Sequence, residues 1–171
     1  MYLTRRLKRQ IVVLVVAFLA ARFSGSAQVN RVEILTSGIS CGVCAVVSEI
    51  QFRRMPGVGK VDISLSNESI TISYGPDAEF SPEAIHQILQ PLNVHVLRLR
   101  IWARGRIEEL KKGEYRLVTG RHKFAVKLRA GTGSIQTGTP VLIEGIILNE
   151  RVSPMELRAV KVSVLEKQLS K

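Results

Sequence analysis

The spacing of apolar residues changes period several times over the first hundred residues, and this order of periods strongly constrains the fold. Val32 and Ile34 alternate with polar residues, as a half-buried strand requires. A helical stripe at i, i+3, i+4 and i+7 follows: Val43, Val46, Val47 and Ile50. Two more strands, a second helical stripe and a fourth strand begin near positions 61, 70, 85 and 94. The order is βαββαβ, which predicts a ferredoxin-like domain over residues 28–100.

The ends of both predicted helices carry the expected signals. Pro56-Gly57 stops the first helix. Ser81 is a good N-cap for the second, and Pro82 follows at the first helical position. These residues support two separate helices between the strands.

From residue 101 onward the sequence shows only strand signals, separated by turns rich in Gly and Thr. Five strands are predicted, over residues 101–107, 114–118, 123–128, 141–148 and 157–164. Gly105 and Gly145 lie inside two of them, where glycine permits the sharp bends of a small closed barrel. We therefore predict an OB-like β-barrel over residues 101–166, followed by a tail over residues 167–171. The whole chain is expected to be α+β, with the two domains in contact.

Residues 1–27 have the pattern of an export signal. Four basic residues come first: Arg5, Arg6, Lys8 and Arg9. An apolar run over residues 11–21 and the small residues Gly25-Ser26-Ala27 follow. Eleven helical residues span only ~16 Å, whereas the hydrocarbon core of a bilayer is ~30 Å thick. A cleaved signal is expected, with an uncleaved inner-membrane anchor as the alternative, and the remaining chain is expected to be periplasmic or secreted.

The net charge of the chain limits the classes of binding partner that are expected. The formal net charge is +11, and removal of residues 1–27 leaves 20 basic against 14 acidic residues, or +6. Outside the cytoplasm nucleic acid is not an expected partner, and a membrane is expected only if the signal stays uncleaved. Four arginines alternate and so share one strand face: Arg98, Arg100, Arg104 and Arg106. That face is either an anionic docking surface or a solvated one.

The two cysteines of the chain are three positions apart, between the first predicted strand and helix. They belong to the run Gly38-Ile39-Ser40-Cys41-Gly42-Val43-Cys44. Thiolates are soft ligands that favour Cu(I) and related ions, and two of them suit a low-coordinate ion such as Cu(I) or Hg(II). Zinc normally takes four ligands, or three and an open position. Cys44 is expected at the helix start, where N–H groups and the helix dipole stabilise a thiolate.

Other interpretations of the cysteine pair remain open at this point. A Cys-X-X-Cys pair also occurs in redox proteins, and in an oxidising compartment it can form a structural disulfide. Thioredoxin-like catalysis is disfavoured because no Trp precedes Cys41 and no Pro separates the cysteines. A site with no chemistry is the third alternative.

The three histidines and the single tryptophan are expected to have structural roles and not to bind the metal. The three histidines are not at ligand spacing from the cysteines, and we expect all of them on the surface: His86, His95 and His122. Trp102 is expected to pack between the domains. The sequence has no phosphate loop, nucleophile elbow or paired-carboxylate pattern. An enzyme is therefore not expected.

The cysteine loop resembles that of the heavy-metal-associated family. This family includes copper chaperones, metal-binding domains of copper-transporting ATPases and the periplasmic mercury-binding protein, and carries Gly-Met-Thr/Ser-Cys-X-X-Cys at this place. The chain matches it at four positions: Gly38, Ser40, Cys41 and Cys44. The later Met55-Pro56-Gly57-Val58 resembles the family's Leu-Pro-Gly-Val turn. The resemblance covers residues 32–99.

The chain departs from the family pattern at two places. Ile39 replaces the family's Met, which packs beneath the loop and does not bind metal; Ile fills a similar volume. Leu92-Asn93 stands where the family usually has Gly-Tyr or Gly-Phe near the metal.

The resemblance implies a function for the first domain. It implies Cys41 and Cys44 as metal ligands, one thiophilic ion with Cu(I) favoured, and a partner protein that donates or accepts the metal. The resulting hypothesis is an exported protein that sequesters or transfers such an ion. A thiol–disulfide protein and a binding module working through the C-terminal barrel are the alternatives.

Overall fold

The computed structural model describes residues 28–76, 78–129 and 135–165. The predicted export signal and the predicted tail lie outside these residues. In the described part, no helix has the length and apolar character needed to cross a bilayer.

The first part of the chain folds as a four-stranded antiparallel sheet with two helices. The elements are β1 (Gln28–Ser37), α1 (Gly42–Arg53), β2 (Val58–Ser64), β3 (Ser69–Tyr74), α2 (Pro82–Leu89), a 3₁₀ turn (Gln90–Leu92) and β4 (His95–Lys111). The strand order is β2-β3-β1-β4, and all neighbours are antiparallel. Helix α1 contacts β2 and α2, and α2 contacts β4. This topology confirms the predicted ferredoxin-like arrangement.

The second part adds four strands to β4. They are β5 (Glu114–Thr119), β6 (His122–Lys127), β7 (Pro140–Asn149) and β8 (Met155–Val164). The pairing continues as β4-β5-β6-β8-β7, and β7 also pairs with β4. All of these pairs are antiparallel except β6 with β8. The last five strands therefore form a closed series of pairs, and four of them match the predicted strands within two residues at either end.

Strand β4 differs from the prediction, because it runs through the predicted boundary between residues 100 and 101. Pairing with β1 skips Leu97, so that Leu35 faces Arg98 and Thr36 faces Val96. Such a bulge shifts the side-chain alternation by one residue. Since Leu97 and Arg98 are both exposed, the sequence pattern resembled the end of one strand and the start of another. The two parts share this strand, and their buried side chains form one core cluster.

Helix α1 differs from the prediction in the face that it buries. The predicted stripe is largely exposed: Val43, Val46 and Ile50 leave 73%, 57% and 46% of their surface accessible. The buried side chains are Ser48 and Phe52. Hydrophobic spacing identified the helix correctly but assigned the wrong face to the core.

Gly105 and Gly145 lie where neighbouring strands approach closely. A Cβ at Gly105 would lie 2.3 Å from the Val118 carbonyl oxygen. At Gly145 it would lie 2.7 Å from Leu157 Cδ1, next to a register irregularity between Glu144 and Gly145. The narrow space between neighbouring strands therefore favours glycine at both positions.

Candidate metal centre

The cysteine loop ends at the start of α1. Cys41 is the N-cap, with extended backbone angles, and Gly42 is the first helical residue. The backbone N–H of Cys44 donates to Cys41 Sγ across 3.4 Å, and the N–H of Ala45 donates to the Cys41 carbonyl across 3.0 Å. The first sulfur therefore takes the position that a Ser or Asp oxygen usually occupies at a helix start.

The backbone before the cysteines is held by close contact with the turn after α2. Gly38 has φ +91°, and a Cβ there would lie 2.9 Å from the Asn93 carbonyl oxygen. Asn93 itself has φ 55°, a left-handed conformation that Asn tolerates better than most residues. Ile39 is fully buried, which confirms that it fills the space beneath the loop. The Leu92-Asn93 pair therefore supplies a turn that fits against the glycine of the motif.

Glu68 also positions the loop, although no sequence signal pointed to it. Its carboxylate oxygen Oε1 accepts the Gly38 N–H at 3.2 Å. Its carbonyl oxygen accepts both the backbone N–H and the hydroxyl of Thr36, at 2.8 and 2.7 Å. Glu68 is 30 residues from Gly38 in sequence, so only the folded β2–β3 turn brings it to the cysteine loop.

Both thiols are free, and their environments are unequal. Cys41 is exposed and Cys44 is half-buried. Hydrogen bonds from the Cys44 side chain and then from its backbone lower the pKa of Cys41 below its usual range. The pKa of Cys44 is raised, first because its S–H donates to Cys41 and second because burial disfavours its thiolate. The sequence-based expectation that Cys44 is the stabilised thiolate was therefore wrong, since the helix N–H reaches the other sulfur.

The donor set near the loop consists of the two sulfurs. Within residues 28–76, 78–129 and 135–165, no group of three or more His, Cys, Asp or Glu side chains is arranged to hold a metal ion. Two thiolates match the low coordination numbers that Cu(I) accepts, and they leave an open side for a third ligand from another molecule. This set does not match the four-ligand shell of a structural zinc site.

An exposed apolar strip on α1 begins beside the loop. It consists of Val43, Val46 and Ile50, and Val43 lies between the two cysteines in sequence. Contiguous exposed apolar side chains are more informative than isolated ones, since they mark contact surfaces in soluble proteins. Any protein that approaches the sulfurs along α1 meets this strip.

The histidines lie away from the cysteine loop in three different environments. His95 is exposed, as predicted. The side chain of His86 is 41% exposed, and its Nε2 lies 2.7 Å from Oε1 of Glu150, in the second part of the chain. His122 is half-buried, with its ring centroid 6.1 Å from that of Phe80. The last two therefore lie where the two parts meet, and His122 is less exposed than expected, with Phe80 against one side of its ring.

The predicted arginine face lies on the outer side of β4, since the intervening residues are buried. Arg98, Arg104 and Arg106 are exposed. Arg100 is half-buried, 3.6 Å from Glu33 and 3.7 Å from Glu144. Trp102 shares this face and is half-buried, with the Arg31 guanidinium 4.7 Å from its ring centroid. Nearby carboxylates and the tryptophan therefore interrupt the positive face.

The fold and the site together define a ferredoxin-like domain with an exposed Cys-X-X-Cys loop, continued by a second set of strands. No family model matches the chain. The chain is 32% identical over 68 residues to a copper-exporting P-type ATPase of Bacillus subtilis (strain 168). That alignment covers 40% of this chain and 8% of the ATPase.

Solved structures with similarity to the chain include a yeast copper transporter domain, CCC2A, at 28% identity. It aligns over 40% of this chain and 96% of the domain, with a TM-score of 0.35. The CopZ metallochaperone aligns at 19% identity over 39% of this chain and 98% of its own, with a TM-score of 0.36. The N-terminal part of the chain is thus similar in sequence to part of a copper-exporting ATPase.

Proposed function

We propose that this chain is an exported, non-enzymatic protein that binds one Cu(I) ion and exchanges it with a partner protein. The observation that carries the proposal is the exposed pair of free thiols at the start of α1, with Cys41 favoured as thiolate. Sequence similarity to a copper-exporting ATPase supports copper as the ion. Cys41 and Cys44 are the proposed ligands.

Metal transfer requires a surface where the donor and the acceptor meet. The apolar strip of Val43, Val46 and Ile50 supports such contact, because it is exposed and begins between the two cysteines in sequence. A two-coordinate ion accepts a third thiolate from the partner before one of the first two leaves. Exchange therefore does not require release of free metal into solvent.

Native mass spectrometry of the reduced chain with Cu(I) tests the proposal. We expect one ion per chain, and loss of tight binding in Cys41→Ser and Cys44→Ser, because one thiolate cannot hold a two-coordinate ion alone. Ser40→Ala changes the same loop without removing a sulfur, so it is the matched control and should bind normally. Equal affinity of Cys41→Ser and the unchanged chain would reject this site.

A second candidate function is thiol–disulfide exchange. The unequal pKa shifts of Cys41 and Cys44 favour it, since an exchanging pair has one thiol that attacks and another that resolves. Bound metal should protect a carrier's thiols from oxidation. Efficient reduction of a disulfide such as oxidised glutathione, without protection by Cu(I), would favour this second function.

For the second part of the chain we propose an OB-like barrel. The closed series of pairs and the parallel β6–β8 pair support it, as do Gly105 and Gly145 at the close approaches. Export is part of the same proposal, with a periplasmic or secreted location, or an inner-membrane anchor if residues 11–21 are retained. If the signal is cleaved, N-terminal sequencing should find a mature chain that begins near Gln28.

A further inference from the structure

A large cleft lies where the two parts of the chain meet, away from the cysteine loop. Its volume is about 1180 Å³, which is ample for a small organic ligand. One wall is formed by the segment around the start of α2, from Glu79 to His86. The other wall is formed by β5, β6 and the loop between β7 and β8, which includes Val152 and Pro154.

The charges of the two walls differ. The second wall carries four cationic side chains: Arg116, Arg121, Lys123 and Arg151. The carboxylates of the cleft are Glu79, Glu83 and Glu150, and the last two have hydrogen-bond partners on the protein. Glu150 pairs with His86, Glu83 Oε1 accepts from Gln87 at 3.3 Å, and Glu79 lies 3.8 Å from Arg121.

The cationic side chains of the cleft form weaker contacts within the protein than Glu83 and Glu150 do. Arg116 reaches Glu108 only at 3.9 Å and Arg121 reaches Glu79 only at 3.8 Å, beyond hydrogen-bond distance. By comparison, Arg53 on α1 holds Glu49 at 2.8 Å. The arginines that line the cleft therefore retain donors for another acceptor.

Two buried nitrogen atoms of the same wall lack hydrogen bonds. Arg116 Nε and His122 Nε2 have no partner among the described residues. Buried polar atoms in native proteins are nearly always paired, and an arginine Nε can only donate. Arg116 Nε itself is inaccessible, but the Arg116 side chain is 29% exposed, so its terminal nitrogens can donate to an acceptor oxygen in the cleft.

We propose that this cleft binds a small organic anion, whose carboxylate or phosphate oxygens contact Arg116 and Lys123 and whose apolar portion lies against Val152 and Pro154. The site is independent of the cysteines and of the proposed copper function.

Isothermal titration calorimetry with three probes tests this site: 3-phenylpropionate, phenyl phosphate and the uncharged 3-phenylpropanamide. We expect both anions to bind at least about tenfold more tightly than the amide, since charge-assisted hydrogen bonds are stronger than neutral ones. Tighter binding of the phosphate identifies a phosphorylated ligand class, and tighter binding of the carboxylate identifies a carboxylic acid. Equal affinity for the amide and the anions, or no binding of any probe, would overturn the proposal.

Variants locate the binding. Arg116→Gln and Lys123→Gln should each weaken anion binding about tenfold, the loss expected for one charge-assisted hydrogen bond. Arg121→Gln tests the same wall without a folding risk, because that side chain is 88% exposed. Arg158→Gln removes an exposed arginine of β8 outside the cleft and should leave the affinity unchanged. An equal loss in Arg158→Gln and Arg116→Gln would show non-specific attraction and reject the site.

Discussion

The two parts of the chain share β4 but cover their buried side chains differently. In the ferredoxin-like part, two helices cover the sheet, and one of them leaves an apolar strip exposed beside two free thiols. In the second part, the described strands close on one another, and glycines allow their close approach. The difference indicates that substitutions on the exposed face of α1 should affect stability little, whereas side chains added between the closed strands should affect it strongly.

Among the substitutions that test this contrast, the largest expected effect is that of Gly105→Ala in the second part. The new Cβ would lie 2.3 Å from a backbone carbonyl oxygen, so strands β4 and β5 must separate. We expect a loss of about 3 kcal/mol in the free energy of unfolding, measured by urea denaturation. Gly42→Ala is the matched control in the first part, because a Cβ there meets nothing within 4 Å. A similar loss in both variants would remove the contrast between the two parts.

The next effect comes from a buried phenol in the first part. Burial raises the pKa of Tyr74 to about 12, and its hydroxyl has no partner among the described residues. An unfolded chain ionises this group near pH 10, so stability that is present below pH 10 is lost as pH rises towards 12. Between pH 9 and pH 11.5 we expect about 2 kcal/mol of loss from this group.

Tyr74→Phe isolates that contribution from the deprotonation of lysines. Urea denaturation at both pH values should show a smaller loss for Tyr74→Phe than for the unchanged chain. The same loss in both proteins would mean that the phenol does not govern the alkaline stability of the first part.

A smaller effect of opposite sign is expected at Ser48. Ser48 lies on the buried face of α1, and its hydroxyl is unpaired among the described residues. Ser48→Ala removes the unpaired group with little change in volume, so we expect a gain of about 1 kcal/mol in unfolding free energy. Thr119→Ala is the contrasting control, since its hydroxyl donates to the Arg104 carbonyl at 2.8 Å and its loss should destabilise. A destabilised Ser48→Ala protein would contradict this account.

Much of the fold could be predicted from local patterns, because side-chain alternation and helix signals act over a few residues. Ser81 caps α2 as predicted, its hydroxyl accepting the Ala84 N–H at 3.2 Å. The bulge at Leu97 could not be predicted, since it depends on pairing with a strand about 60 residues earlier. Within the candidate site, the two cysteines could be identified from their spacing in the sequence. The role of Glu68 and the preference for a Cys41 thiolate depend on contacts that form only in the folded loop.

The buried face of α1 shows most clearly why hydrophobic spacing alone assigned the wrong residues to the core. Val43, Val46, Val47 and Ile50 form a regular stripe, yet the helix turns Phe52 and the small Ser48 towards the sheet. Phe52 is fully buried and fills more volume than any single valine.

Val46→Ser tests this rotation of α1 and carries the smallest expected effect. If Val46 belonged to the core, the substitution would cost about 2–3 kcal/mol, from lost apolar burial and a buried hydroxyl. With 57% of its surface exposed, we expect a change below about 0.5 kcal/mol, apart from a small helix-propensity term. Phe52→Ala on the same helix is the control and should cost about 3–4 kcal/mol. A large loss of unfolding free energy in Val46→Ser would mean that the apolar strip belongs to the core. The contact surface proposed beside the thiols would then not exist.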